Sequence, residues 1–272
     1  MTRFSVIIPH WGDPALLRRA LASVPKGVEV LVQEDPEGRG AGWARNQALP
    51  QATGEWLLFL DSDDYFTPEA MRLMEKHADD AADVVYFAVR SVFSESGEPS
   101  ARQDTKLHFL ARYGGKPADL DFYLRYLYNE PWGKLVRREF VEREGIRFDE
   151  TSCANDYTFS VLCGLHARTV AFDPGVLCVI TEREGSVSHR YFDRAEKVQD
   201  RLQVYWKVQG IFDGAGIPLY PFYGLWMMCQ KEGKGDAAES FRKAADIPRW
   251  KIGLGCLRRI VRKRLHIGVP YK

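Results

Sequence analysis

The chain has 272 residues, of which 45% are hydrophobic and 28% are charged, and its formal net charge is +1. These values are typical of a folded protein with one large domain, or one domain with an appendage. The sequence contains no apolar run long enough to span a bilayer, and it does not open with a basic-then-apolar signal segment. The five cysteines are odd in number and lack a CxxC spacing, so we expect reduced thiols in a cytoplasmic protein.

The first 90 residues alternate predicted strands and helices. Apolar runs predict strands at 4–8, 28–32, 56–60 and 83–89, and the first of them is rich in β-branched residues. Helices are predicted after Asp13-Pro14, over 43–49, and after Thr67-Pro68, with Thr67 as N-cap and Pro68 at the first helical position. This alternation of strands and helices predicts a doubly wound, mostly parallel α/β sheet.

Functional side chains follow three of these predicted strands. Pro9-His10 comes after the first, Glu34-Asp35 after the second, and Asp61-Ser62-Asp63 after the third. Because parallel strands end at the same edge of a sheet, one cleft could collect all three groups. An Asp-x-Asp pair suits a hard divalent cation that also binds phosphate oxygens. On its own the pair is a weak signal, since aspartates also cap turns.

Three sequence blocks carry a resemblance to a known family. They read "FSVIIPHW", "VEVLVQED" and "GWARNQALPQATGEWLLFLDSDD", with weaker signatures at 131–140 and 155–159. Together they resemble the N-terminal half of GT-A glycosyltransferases of family 2. The resemblance implies a Rossmann-like, mostly parallel sheet flanked by helices in a catalytic domain over 1–200. Its nucleotide-binding half would cover 1–90 and its acceptor half 91–200, with a helical C-terminal region over 201–272.

The resemblance also implies roles on the donor side. Backbone at Pro9 and His10 would border the base, and Asp35 or Glu34 would accept a hydrogen bond from the base or ribose. Arg45 would lie against the base or the phosphates, Asp61 would contact the ribose, and Ser62 would belong to the same nucleotide-sugar site. Asp63 would bind the Mn²⁺ or Mg²⁺ that bridges the diphosphate. Asp64 could instead serve only to open the following turn.

On the acceptor side, the resemblance points to residues of the second half. Trp132 and Lys134 would lie beside the sugar and the acceptor; alternatively, they are a core tryptophan and a surface lysine. Asp156 would be the general base, or only the N-cap of the helix that follows it. Asn155 stands where the family usually carries Glu. His189 would add a metal ligand, unless it is an ordinary surface histidine.

One departure concerns the connection over 36–42. Family members usually carry a further helix and strand at this point, and seven residues are too few to form them. We therefore expect a sheet without that edge unit and a nucleotide pocket that is more open on this side.

The end of the chain is strongly basic. Residues 247–272 hold eight of the 38 Lys and Arg side chains and none of the 37 Asp and Glu side chains. Ile252, Leu257, Ile260, Val261 and Leu265 could share one face of a helix. The segment 250–265 is thus either an interfacial membrane anchor or a helix docked on the catalytic domain. We expect no nucleic-acid partner.

Together with these observations, the resemblance implies a metal-dependent, inverting transferase. It would move a sugar from a nucleotide donor, most simply a UDP-sugar, to a carbohydrate or lipid-linked acceptor in cell-envelope or capsular polysaccharide synthesis. A catalytically weak relative that only binds nucleotide sugars is the alternative. A nucleotidyltransferase would need a Gly-rich, basic loop after the first strand, and "IPHWGDPALL" is not such a loop.

Overall fold

The computed structural model describes residues 3–103, 117–183 and 195–265. The chain divides into two compact units, the first drawn from 1–151 and 155–186, the second from 152–154 and 187–272. The first unit contains an α/β sheet, and the second is helical. The helix over Ala195–Gly214 runs uninterrupted across residue 200, so the helical unit begins before that position.

The sheet of the first unit has seven strands among the described residues. Their bounds are β1 Phe4–His10, β2 Glu29–Glu34, β3 Trp56–Phe59, β4 Tyr65–Phe66, β5 Val84–Phe93, β6 Lys134–Arg137 and β7 Val170–Glu182. They pair in the order β2-β1-β3-β6-β5-β7-β4. β6 runs antiparallel to both of its neighbours, β4 runs antiparallel to β7, and the other pairs are parallel. The predicted mostly parallel α/β sheet is confirmed.

Helices flank this sheet and build the second unit. In the first unit they are α1 Pro14–Ser23, α2 Ala41–Ala48, α3 Ala70–Lys76, α4 Pro117–Tyr126, α5 Arg138–Arg143 and α6 Tyr157–His166. In the second unit they are α7 Ala195–Gly214, α8 Pro221–Lys231, α9 Gly235–Ala244 and α10 Arg249–Leu265. None of the helices in the described ranges combines the length and the apolar composition that crossing a bilayer requires.

The sequence predicted N-terminal capping signals for two helices, and the structure confirms only the first. α1 begins as expected, because the Asp13 carboxylate accepts a hydrogen bond from the Ala15 N–H at 2.8 Å and Pro14 is its first residue. The predicted cap at Thr67 is wrong. Its hydroxyl donates to the Val176 carbonyl at 2.7 Å, and α3 begins only at Ala70. Thr67 therefore ties the loop to β7 instead of capping a helix.

The β2 strand lies at the edge of the sheet and pairs only with β1 among the described residues. Its side chains alternate, and Val30 and Val32 are exposed. The expected absence of an edge unit is thus confirmed. The short connection to α2 is closed by Asp35, whose carboxylate accepts the N–H groups of Arg39 at 2.8 Å and Gly40 at 2.6 Å. Gly40 has a φ of 102°, a conformation that disfavours any other residue.

Candidate active site

The carboxyl ends of β1, β2 and β3 meet at one edge of the sheet. β1 lies between β2 and β3 and is parallel to both, with His10 opposite Glu34. The Asp35 N–H donates to the His10 carbonyl at 2.9 Å, which extends this pairing by one residue. The predicted groups at the three strand ends therefore share one edge, as the parallel order requires.

Immediately after β3, a tight turn gathers three carboxylates. The Asp64 N–H donates to the Asp61 carbonyl at 2.9 Å, and carboxylate oxygens of Asp61, Asp63 and Asp64 lie within 4.8 Å of one another. Burial and mutual repulsion raise the pKa of Asp63 and raise that of Asp64 well above its ordinary value. Clustered carboxylates at this spacing form a donor set that suits a hard divalent cation such as Mg²⁺ or Mn²⁺.

The three carboxylates are not equally available to a cation. Asp64 is buried, and its Oδ1 atom accepts the Thr181 N–H of β7 at 2.7 Å. Asp63 is partly exposed, and its Oδ2 atom accepts a hydrogen bond from the Arg183 guanidinium at 3.0 Å. Asp61 and Asp63 are thus the accessible pair, and Asp64 mainly anchors the turn to β7.

Arg45 lies beneath this turn rather than at its surface. Its guanidinium donates to the Asp61 carboxylate at 2.5 Å and to the Asn155 side-chain oxygen at 3.0 Å, and it stacks over the Phe148 ring at 5.1 Å. Only 3% of the residue is exposed. In this structure, therefore, Arg45 joins the acidic turn after β3 to the segment that carries Asp156.

Asp156 is half-buried at the start of α6. It occupies the N-cap position, yet its side chain makes no capping hydrogen bond, which argues against capping as its role. Burial raises the pKa of Asp156 to about 6; the Arg45 charge opposes this rise, and the Glu130 charge adds to it. A carboxylate with this pKa is deprotonated at neutral pH but is a better proton acceptor than an ordinary aspartate.

Two expectations about the acceptor side are wrong for this structure. Lys134 is only 1% exposed, and its ammonium donates to the Tyr128 carbonyl at 2.8 Å and to the Ser160 hydroxyl at 3.2 Å. Trp132 is also buried and packs edge-on against Tyr128. The physical reason is the position of β6, which is covered because it lies between β3 and β5. These residues stabilise the core and do not line an open acceptor site.

Asp35 also departs from its expected position. Both of its carboxylate oxygens accept backbone N–H groups of the 35–40 loop, and the residue is buried. Glu34, which is exposed at the end of β2, is the carboxylate that remains open to a ligand. His189 lies outside the described residues.

Sequence reasoning missed two residues at this edge. Trp11 follows β1 directly and is 73% exposed, and Gly12 after it has a φ of 101°. The signal was present, since an aromatic residue right after a strand and before a glycine is free to face solvent. Arg183 directly follows β7 and contacts Asp63, a residue 120 positions earlier in the chain, so no local pattern could reveal this pairing.

Sequence comparisons connect the chain with bacterial proteins. The profile described as Glycosyl transferase family 2 matches residues 20–145. A putative glycosyltransferase, EpsH of Bacillus subtilis, is 28% identical over 147 residues, which is 50% of this chain and 40% of EpsH. The succinoglycan biosynthesis protein ExoO of Rhizobium meliloti is 31% identical over 190 residues, 64% of this chain and 50% of ExoO. The chain thus spans half or less of the length of these relatives.

Structural comparisons agree on the fold. The crystal structure of Staphylococcus aureus TarS in complex with UDP-GlcNAc gives a TM-score of 0.54 at 21% identity, covering 72% of this chain and 64% of that one. The mannosyltransferase PcManGT of Pyrobaculum calidifontis, in complex with GDP-Man and Mn²⁺, gives 0.51 at 17% identity, covering 96% and 86%. Together with the acidic turn after β3, these comparisons lead to one conclusion: the chain has the GT-A fold, and its residues 20–145 match glycosyltransferase family 2.

Proposed function

We propose that this protein transfers a sugar from a nucleotide-sugar donor, a UDP-sugar, to a carbohydrate or lipid-linked acceptor. The observation that carries the proposal is the cluster of Asp61, Asp63 and Asp64 at the strand edge that also holds His10 and Glu34. This is where α/β sheets bind nucleotides. Two relatives, the succinoglycan biosynthesis protein ExoO and the poly(ribitol-phosphate) β-N-acetylglucosaminyltransferase TarS, support a role in cell-envelope or capsular polysaccharide synthesis.

The base would bind at the open end of this edge. Trp11 offers an exposed indole face for stacking, and the backbone of Pro9 and His10 borders it. Glu34 is acceptor-only, so it favours a base or ribose that presents an N–H or O–H donor. The imide N–H of uracil meets that requirement. Asp61, which Arg45 holds in place, would accept a hydrogen bond from the ribose. Ser62 would belong to the same nucleotide-sugar site.

A divalent cation fits the residues present. Asp63 with Asp61 would hold Mn²⁺ or Mg²⁺, and His189 is a further candidate ligand. When bound, the ion neutralises the negative charge that develops on the leaving nucleoside diphosphate. Arg183 carries a second positive charge to the same place, since it already contacts Asp63.

Asp156 is the proposed general base. As the acceptor oxygen attacks the anomeric carbon, its proton passes to the Asp156 carboxylate. The bond between that carbon and the diphosphate oxygen breaks, and its electron pair stays on the leaving nucleoside diphosphate. Attack on the face opposite the leaving group inverts the anomeric centre. The pKa of about 6 supports this role, because the group is ionised at neutral pH yet accepts a proton readily.

Arg45 would fix the distance between the donor-binding residues and the general base. It donates to Asp61 on the donor side and to Asn155 next to the base, and its guanidinium lies over the Phe148 ring. A fixed distance between donor and base is what a single displacement requires. Asn155 therefore contributes through Arg45 and not by direct proton transfer.

The second candidate function is nucleotide-sugar binding without efficient transfer. The observation in its favour is Asn155, which replaces the family's usual Glu and gives Arg45 a neutral partner. The intact set of Asp61, Asp63 and Asp156 favours the transferase. A lipid-linked acceptor would lie at the cytoplasmic face of a membrane, and residues 250–265 are the candidate segment for such a peripheral contact.

The test is release of nucleoside diphosphate from a panel of UDP- and GDP-sugars with Mn²⁺, with water or a lipid-linked glycan as acceptor. We expect one donor to be cleaved in a metal-dependent reaction. Asp63→Asn should abolish it, and Asp156→Asn should slow it by about 10²–10⁴-fold. Glu95→Gln, which removes an exposed carboxylate of the first unit, is the matched control. Donor binding without any cleavage would instead support the binding-only relative.

A further inference from the structure

Helix α10 presents two different faces. On its inner face Ile252 is buried in the core of the helical unit, and Gly255 lies so close to the Tyr223 ring of α8 that a Cβ atom would clash. Arg259 donates to the Tyr220 carbonyl at 3.2 Å. Residues 252, 255 and 259 thus hold the helix in place. Ile252 does not share a face with Leu257 and Val261, so the single stripe expected from the sequence is wrong.

The outer face carries an apolar stripe of its own. Trp250, Leu254, Leu257 and Val261 are 69%, 38%, 56% and 42% exposed. Their spacing of four, three and four residues places them in one row along the helix. Within the described ranges, no other helix exposes more than two large hydrophobic side chains. A row of this kind marks an interaction surface rather than scattered exposure.

The charges around the stripe decide what it fits. α10 contains seven Lys or Arg residues and no acidic residue. Arg258 and Arg264 are exposed and adjoin the stripe on the helical wheel. A second copy of this chain would bring two such basic helices together, which like-charge repulsion opposes. An anionic bilayer offers both the apolar layer and the negative charge that this face requires.

We infer that the outer face of α10 is an interfacial membrane-docking surface for anionic phospholipid. The four apolar side chains enter the boundary between headgroups and acyl chains, with the tryptophan at the level of the headgroups. The flanking arginines pair with lipid phosphates. The inner face keeps the helix folded on α8, so docking requires no unfolding. This inference concerns the helical unit alone and stands or falls separately from the proposed transfer reaction.

The test is flotation of the full chain with vesicles of phosphatidylcholine, with and without phosphatidylglycerol. We expect binding to the anionic vesicles only, weakened by added salt. The variant Trp250→Gln with Leu257→Gln should lower partitioning by about tenfold or more, because two of the four inserted side chains are lost. Phe93→Gln with Met228→Gln, which removes two other exposed apolar side chains, is the control and should bind as wild type.

Three results would overturn the inference. The first is wild-type protein that does not bind anionic vesicles at low salt. The second is a stripe variant that floats as well as wild type while circular dichroism shows both to be folded. The third is a wild-type dimer, detected by light scattering, that the stripe variant converts to monomer, because this result would assign the face to a second copy of the chain.

Discussion

The guanidinium of Arg183 donates to the carboxylate of Asp63 at 3.0 Å. Asp63 is also the central residue of the acidic turn that would hold a divalent cation. A guanidinium and a cation cannot share that carboxylate without repulsion. In this structure Arg183 offsets part of the negative charge of the acidic turn, and it would compete with a cation for the Asp63 carboxylate.

This relationship predicts opposite effects of Arg183→Gln on two ligands. Mn²⁺ alone should bind about 3- to 10-fold more tightly, because a competing positive charge is gone. UDP in saturating Mn²⁺ should bind more weakly, because a phosphate partner is lost. Titration followed by the electron paramagnetic resonance of free Mn²⁺ measures the first effect. Arg90→Gln, an exposed arginine of β5, is the control. Unchanged Mn²⁺ affinity would show that Arg183 does not compete.

The raised pKa of Asp156 predicts a pH profile. Because the base must be ionised, kcat/KM should fall about tenfold per pH unit below a pKa of about 6 and level off above it. Asp156→Asn should slow the reaction by about 10²–10⁴-fold and should remove this pH dependence. The pKa of Asp156 is higher in the folded state than in the unfolded state, so ionising this carboxylate lowers the free energy of unfolding. The full cost is present above a pH of about 6. The Asn variant should therefore be at least as stable as wild type at pH 7, and a lower melting temperature would speak against this reading.

The exposure of Trp11 predicts that replacing it weakens donor binding but leaves the protein folded. If the indole stacks on the base, Trp11→Ala should weaken UDP binding by about 1–3 kcal/mol. Its melting temperature should match wild type, since the side chain is mostly in solvent. Phe93→Ala removes another exposed aromatic ring and should leave UDP affinity unchanged. Equal affinities in all three proteins would place the base elsewhere.

The hydrogen bonds of Asp173 in β7 predict that the protein loses stability in acid. The Asp173 carboxylate accepts hydrogen bonds from Lys76 at 2.7 Å, His77 at 2.9 Å and the Gly175 N–H at 2.8 Å. These partners hold its pKa at about 2, although burial alone would raise it. A depressed pKa contributes stability above the unfolded value of 3.8 that is lost as pH falls toward 2.

Asp173→Asn should accordingly lower the free energy of unfolding by about 2 kcal/mol at pH 7, and by less at pH 3. Urea unfolding at the two pH values measures the difference. Asp119→Asn, at an exposed position of α4, serves as the control. If the variant loses as much free energy of unfolding at pH 3 as at pH 7, the effect comes from packing rather than from the charge.

Local patterns predicted the strands of the first 90 residues well. The apolar runs that form β1, β2 and β3 are visible as strands, and the alternation with helices predicts their parallel pairing, but the spatial order β2-β1-β3 could not be read from the sequence. What the sequence did not reveal depends on distant partners. Lys134 is buried because β3 and β5 enclose β6, and Arg183 finds Asp63 across the sheet.

The same limit explains the errors at Asp35 and in α10. Asp35 turns inward because the shortened loop supplies two N–H groups to it. In α10 the amphipathic pattern was evident, but the packing of Gly255 on Tyr223 decides which apolar side chains face inward. A hydrophobic pattern alone cannot separate a docked face from an exposed one when a helix carries both.

The most direct test of the donor site is a calorimetric titration of UDP, GDP and their sugars, with and without Mn²⁺. It compares wild type, Asp63→Ala and the Glu95→Gln control. We predict that one nucleotide binds only with Mn²⁺, that Asp63→Ala abolishes this binding, and that the control retains it. Absence of binding under every condition, or binding that Asp63→Ala leaves intact, would contradict a metal-dependent nucleotide-sugar site at the end of β3.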